Sequence, residues 1–381
     1  MLACFIGRYL NWERLKNADS MLVESIGYND RCEQIKIRAG VKMEITNSEL
    51  RKIILNKQMI TNLSDEPLAV CSRLNGFQTQ ADNTMLEQVF AVRTELAAFR
   101  QTQWRDELVR CWSIRGQLHV FPYMEIPLFL HRGRSIGLRD VDDIRTDIYL
   151  REEEKRVYAD LILEKLSEKP LTLNELKEVT AKAGLHKEAE RSVFNPWGGL
   201  IRYLIETGQV YQQYSSRKYK RLEKFEPWEQ EKAELEIARR YFENYGPCTI
   251  EDARTYFKRR KRVIQDWMEK LELEEVVVDG ISRFGINIDH NVETLPDLLL
   301  LSDSDPLLIG YEKEENPFVE AEHTREIFGY SGLIRPGILV GDRIVGTWRF
   351  IEGKPKMNIF AELTKAEIER IENFLHNLER K

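Results

Sequence analysis

The sequence predicts an α+β chain: tandem winged-helix units followed by a small C-terminal β-barrel-like domain. Three observations predict it. At 381 residues the chain exceeds one ordinary domain of ~150 residues. A pattern of capped helix, second helix and short hairpin returns along it. From residue 296 on, short strands take over and a final helix closes the chain. The expected divisions are an N-terminal extension (1–43), a first winged-helix unit (44–140), a second (141–226), a third (227–295) and the C-terminal domain (296–381).

Residues 1–42 mix charge with apolar residues and show no clean period. Either they belong to the protein or translation begins at Met43. Thr46 and Glu49 then form a capping box ahead of a helical pattern. The 44–140 unit fits the grammar least cleanly, with RGQLHVF as its expected wing. In the second unit Thr172 and Glu175 cap LTLNELKEVTAKAG. Asn195, with Pro196 at the first helical position, is expected to cap the next helix. Trp197, Leu200, Ile201, Leu204 and Ile205 stripe that helix, and Gly208 stops it. QVYQQY and RKYKRL read as its hairpin.

Downstream, Gly246 and Pro247 stop ELEIARRYFENYGP, and Thr249 with Asp252 caps the next helix. Val263, Ile264, Trp267, Met268 and Leu271 stripe another. LEEVVVDGISRFGI is a hairpin turning at Asp279-Gly280. LPDLLLL, GILVG, RIVGTWRF and KMNIF read as strands. Thr364 and Glu367 cap a terminal helix with Ile368, Ile371, Leu375 and Leu378 on one face.

Composition removes several function classes. Hydrophobic residues at 42% and charged residues at 31% support packed cores rather than disorder. No uncharged apolar run reaches the ~18 residues of a membrane span. Five scattered cysteines without a CxxC argue against a disulfide framework and a zinc site, and for the cytoplasm. No phosphate-loop, HExxH or GxSxG pattern occurs, and neither metal nor cofactor is expected. The net charge of −6 means that any DNA binding must use local patches.

Two such patches stand out. Arg217, Lys218, Lys220, Arg221 and Lys224 crowd the second wing beside Tyr214 and Tyr219. Arg254, Lys258, Arg259, Arg260, Lys261 and Arg262 crowd the third unit without an intervening acid. The sharpest local feature is LNGFQTQADNT. In an extended stretch, Gln78 and Gln80 face one way and Thr79 the other. A second QxQ, Gln101-Thr102-Gln103, sits in a polar run instead. Asp303 and Asp305 offer a conceivable hydrolytic carboxylate pair, though acids before Pro306 are commonly turn formers.

LNGFQTQ followed by WSIRGQLHVFP resembles the AlkZ-like (AlkZ/YcaQ-type) winged-helix DNA glycosylases. RRYFENYGPCTIEDA, DPLLIGY and RPGILVGDRIVGTWRF agree in order, so the resemblance runs from about Met43 to the end. It implies tandem winged helices and a C-terminal β-barrel around a DNA channel, and excision of alkylated, bulky or crosslinked bases. It also implies that Gln78 and Gln80 form the active centre, and that Arg115 and His119 line the channel. Thr79 stands where the family usually has a small apolar residue, and Gln117 where it has Thr. Gly341-Asp342 inverts the usual order.

The chemistry fits neutral amides. An N7-alkylated purine is already cationic, so its glycosidic bond breaks without a strong acid. What remains is to stabilise an oxocarbenium-like sugar and deliver a water. Gln78 is expected to stabilise the sugar cation and Gln80 to orient the water. No lysine stands out as a Schiff-base nucleophile, so a monofunctional enzyme acting as a monomer on double-stranded DNA is expected. The alternatives are a non-catalytic winged-helix DNA-binding protein or transcriptional regulator, and a small-molecule hydrolase using Asp303 and Asp305.

Overall fold

Local chemistry starts the first helix where the capping box places it. Thr46 N–H donates to the Glu49 carboxylate (2.7 Å) and Glu49 N–H donates to Thr46 Oγ1 (3.2 Å), opening α1 (Asn47–Lys57). The computed structural model describes residues 43–79, 86–130, 150–195, 199–292, 294–303, 305–329, 334–352 and 354–378. A two-residue strand, β1 (Met43–Glu44), precedes α1. Short helices α2 (Pro67–Arg73), α3 (Leu86–Ala91) and α4 (Leu96–Arg100) surround strand β2 (Phe77–Gln78). Strands β3 (Leu108–Trp112) and β4 (Leu118–Pro122) form the expected RGQLHVF hairpin, and α5 (Ile126–Phe129) follows.

The span expected as the second unit contains α6 (Glu152–Glu168), α7 (Leu173–Lys182), α8 (Glu190–Phe194) and α9 (Leu200–Glu206). Its hairpin is β5 (Val210–Gln213) and β6 (Tyr219–Arg221). The cap expected at Asn195 lies elsewhere: Gly199, at φ 84°, immediately precedes α9, and Pro196 and Trp197 lie outside the described residues. Gly208 ends α9 in the left-handed region as expected.

The span expected as the third unit holds α10 (Gln230–Asn244), α11 (Ile250–Phe257), α12 (Lys261–Lys270) and hairpin β7 (Glu274–Val278) and β8 (Ile281–Gly285). Asp279 and Gly280 both take positive φ, as a tight hairpin turn with a right-handed twist requires. Beyond it come β9 (Leu298–Leu300), α13 (Pro306–Ile309), α14 (Thr324–Ile327), β10 (Gly337–Val340), β11 (Arg343–Ile351), β12 (Lys354–Ile359) and α15 (Lys365–Leu378).

Three sheets organise these strands, and two of them join residues far apart in the chain. The order β2-β4-β3-β5-β6 merges the first two hairpins, through Val109 opposite Gln213 and Arg110 opposite Gln212. Strand β1 runs parallel to β7, with Met43 opposite Val276. The C-terminal strands form an open sheet in the order β12-β11-β10-β9, not a closed barrel among the described residues. Ile371 and Leu375 of α15 pack on it against Leu300, Ile338 and Trp348. Trp348 Nε1 donates to Leu301 O (2.9 Å), satisfying the indole inside that core.

Candidate active site

A sharp reversal after α2 delivers the QxQ segment. Asn75 and Gly76 sit at φ 60° and 73°, and Gly76 N–H donates to Cys71 O (2.8 Å). A Cβ on Gly76 would lie 2.8 Å from Val120 O, so only glycine lets the chain approach β4 this closely. The approach seats β2 on the edge of the sheet. Phe77 pairs with Val120, Gln78 with His119, and Thr79 N–H donates to Leu118 O (2.9 Å). Phe77 is buried edge-to-face against Phe90, and Thr79 is buried as well. Strand alternation turns Gln78, half-buried, to the other face. Gln80 lies outside the described residues.

Arg115 meets Gln78 from the turn between β3 and β4. Its backbone is left-handed (φ 61°, ψ 14°), a conformation that costs a non-glycine residue energy and concentrates at functional sites. Arg115 Nη2 donates to Gln78 Oε1 at 2.6 Å. A guanidinium has donors only, so the amide atom facing it is the oxygen and Nε2 points away. The guanidinium carbon lies 5.4 Å from the centre of the Tyr256 ring on α11. Arg115 Nε is buried without a hydrogen-bond partner, and Arg115 has no ion pair among the described residues. Burial draws the guanidinium pKa below its usual value.

The surroundings hold this geometry in place. Tyr256 stacks on Tyr241 (4.6 Å between ring centres) and lies 5.1 Å from Tyr245. Tyr245 O–H donates to Leu74 O (3.0 Å), tying α10 to the turn that presents Gln78. His119 is 3% exposed and its Nδ1 lies 3.0 Å from Gln117 O. Burial, reinforced by the charge of Arg115, lowers its pKa to about 3. It is therefore a neutral, interior strand residue. The chain offered no local signal for Tyr256; its role depends on α11 packing beside a turn distant in sequence.

The other candidates divide. Arg217 lies over Tyr214 (6.0 Å), and Lys220 is half-buried opposite Tyr211 on β5. Arg221 turns to α6, donating to Ser167 Oγ and Leu163 O. Arg259 pairs with Glu234 (3.0 Å) and Arg254 with Glu251. Lys218, Lys258 and Arg260 are exposed and carry no ion pair among the described residues. Asp305 does not serve the hydrolase alternative. Its carboxylate is wholly buried on the Arg93 guanidinium (2.7 and 2.9 Å) and accepts from Leu307 N–H at the start of α13. Gln101 and Gln103, the second QxQ, are exposed where α4 ends and a 3₁₀ turn begins.

No helix among the described residues is long and apolar enough to cross a membrane. Comparison with curated proteins finds no sequence match. Among solved structures, Streptomyces sahachiroi DNA glycosylase AlkZ is similar in fold, with a TM-score of 0.63 at 18% identity over 87% of this chain and 95% of that one. The sequence profile described as DNA glycosylase AlkZ-like matches residues 71–378, from the end of α2 through α15. That span takes in the glycine turn, Gln78, Arg115 and the tyrosines behind them, and the chain belongs to the AlkZ-like DNA glycosylase family.

Proposed function

We propose that the protein is a monofunctional DNA glycosylase. It hydrolyses the N-glycosidic bond of N7-alkylpurines or of bulky and crosslinked bases in duplex DNA, using Gln78 and Gln80. The tandem helix-and-hairpin units are read as winged helices, the C-terminal sheet as the family's barrel-like domain, and the enzyme as a cytoplasmic monomer without a cofactor. Lys218, Lys258 and Arg260, exposed and without ion pairs among the described residues, are the most available of the expected phosphate contacts, with Arg217 and Lys220 at the second hairpin.

The observation that carries this reading is Gln78 itself. It leaves an edge strand on the face opposite buried Phe77 and Thr79, with its oxygen bound by Arg115. We read that contact as favouring the reverse of the expected roles. An oxygen already on a guanidinium is a poor partner for a sugar cation, whereas Nε2–H₂, turned away from the guanidinium, can donate to a departing purine nitrogen. The carbonyl that steadies the cation and holds the water then falls to Gln80.

The test is single-turnover release of 7-methylguanine from duplex DNA, read as strand breaks after hot alkali. Gln78→Ala and Gln80→Ala should each slow release at least about tenfold, or ~1.4 kcal/mol of barrier. Unchanged rates in both variants would remove the motif from the active site.

A further inference from the structure

We propose that Arg115 is a positioning residue that couples a DNA phosphate to the Gln78 amide: one edge of the guanidinium fixes the amide oxygen while another takes the phosphodiester beside the lesion. The inference rests on the glycosylase reading above and deepens it.

At Arg115 the described residues leave a positive charge for which they supply no anion. Arg115 is a largely buried cation without a carboxylate partner among the described residues. Its hydrogen-bond and ring partners among the described residues are one neutral amide oxygen at 2.6 Å and the face of a tyrosine at 5.4 Å. Buried charges are ordinarily paired, and Arg93 on Asp305 and Arg283 on Asp252 (3.4 Å) show the pairing that Arg115 lacks.

The reaction supplies the missing anion and gives it a purpose. A bare guanidinium beside Gln78 would oppose the positive charge that develops on the sugar. A phosphate bound to the same guanidinium cancels that opposition. It also leaves Nη2 on Gln78 Oε1, so the amide stays turned with its donor side toward the scissile bond. Planar arginine has five donors and can hold both groups at once; lysine, a compact point charge, cannot.

Two measurements on the full chain test this. The first is the salt dependence of binding to duplex DNA. Arg115→Met, which keeps an apolar stem on Tyr256, should reduce the slope of log K against log[salt] by about 0.9, the value of one phosphate contact. Arg115→Lys should retain the slope. The second is single-turnover release of 7-methylguanine, in which both variants should fall at least about tenfold. A lysine variant at the wild-type rate would reduce Arg115 to a charge, and an unchanged slope in Arg115→Met would remove the phosphate; either result overturns the coupling. Should the wild type release no base, the glycosylase reading falls, and the slope alone then decides whether Arg115 holds a phosphate.

Discussion

The His119 imidazole lies opposite Gln78 in the sheet, 3% exposed and close to a guanidinium, and both surroundings resist a second positive charge. Its folded pKa of about 3 lies below the 6.5 of an unfolded histidine, so the unfolded chain takes up the proton first as pH falls. Stability from this residue is therefore full above about pH 6.5 and is lost as pH falls toward 3. By pH 4 the loss is roughly 3 kcal/mol. Urea unfolding of wild type and His119→Gln at pH 7 and pH 4 measures it: the wild type should lose about that much more. Equal losses would mean that the imidazole is not held neutral by burial. At neutral pH the consequence for chemistry is that His119 adds no charge beside Arg115, leaving the guanidinium as the one fixed cation that Gln78 meets among the described residues.

The two-residue strand β2 depends on Gly76 more than on its own hydrogen bonds. Gly76→Ala imposes both a left-handed alanine and a 2.8 Å approach to Val120 O, and should cost about 2 kcal/mol or more. Gly341→Ala, at φ 60° with nothing within 4 Å, carries only the backbone penalty of about 1 kcal/mol. Denaturant unfolding compares the two, and base release should fall with the first and not with the second. Equal costs would show that close approach to β4 is not what the glycine provides. Much at this scale was legible from residues alone. The capping boxes at Thr46, Thr172, Thr249 and Thr364, the Asp279-Gly280 turn and the strand residues of β5 to β12 all follow from chemistry within a few positions. The start of α9 did not follow, because Asn195 and Pro196 form a plausible cap and the chain begins that helix after Gly199 instead.

Long-range pairing is what the residue pattern could not supply. Nothing local in VRCW or VYQQ requires β3 to meet β5, nor MEI to lie beside β7, because strand partners are chosen by the collapsed whole. The same holds for Arg93 and Asp305, an acid whose local sequence suggests a turn former or a hydrolytic group. Their fully buried pair links α3's end to the start of α13. Arg93→Met leaves the carboxylate uncompensated and should cost roughly 3–5 kcal/mol. Arg93→Met with Asp305→Asn should cost clearly less than the sum of the two single changes; additive losses in chemical denaturation would mean the groups are not coupled. The shared sheet has a mechanical consequence of its own. Strand β2, carrying the amide, and β6, in the cationic hairpin, are its opposite edges, separated by four strand spacings of about 4.8 Å. Backbone ladders do not stretch, so that interval of roughly 19 Å works as a fixed gauge, and under the proposed function a bulkier lesion would be accommodated by parts of the protein outside this span.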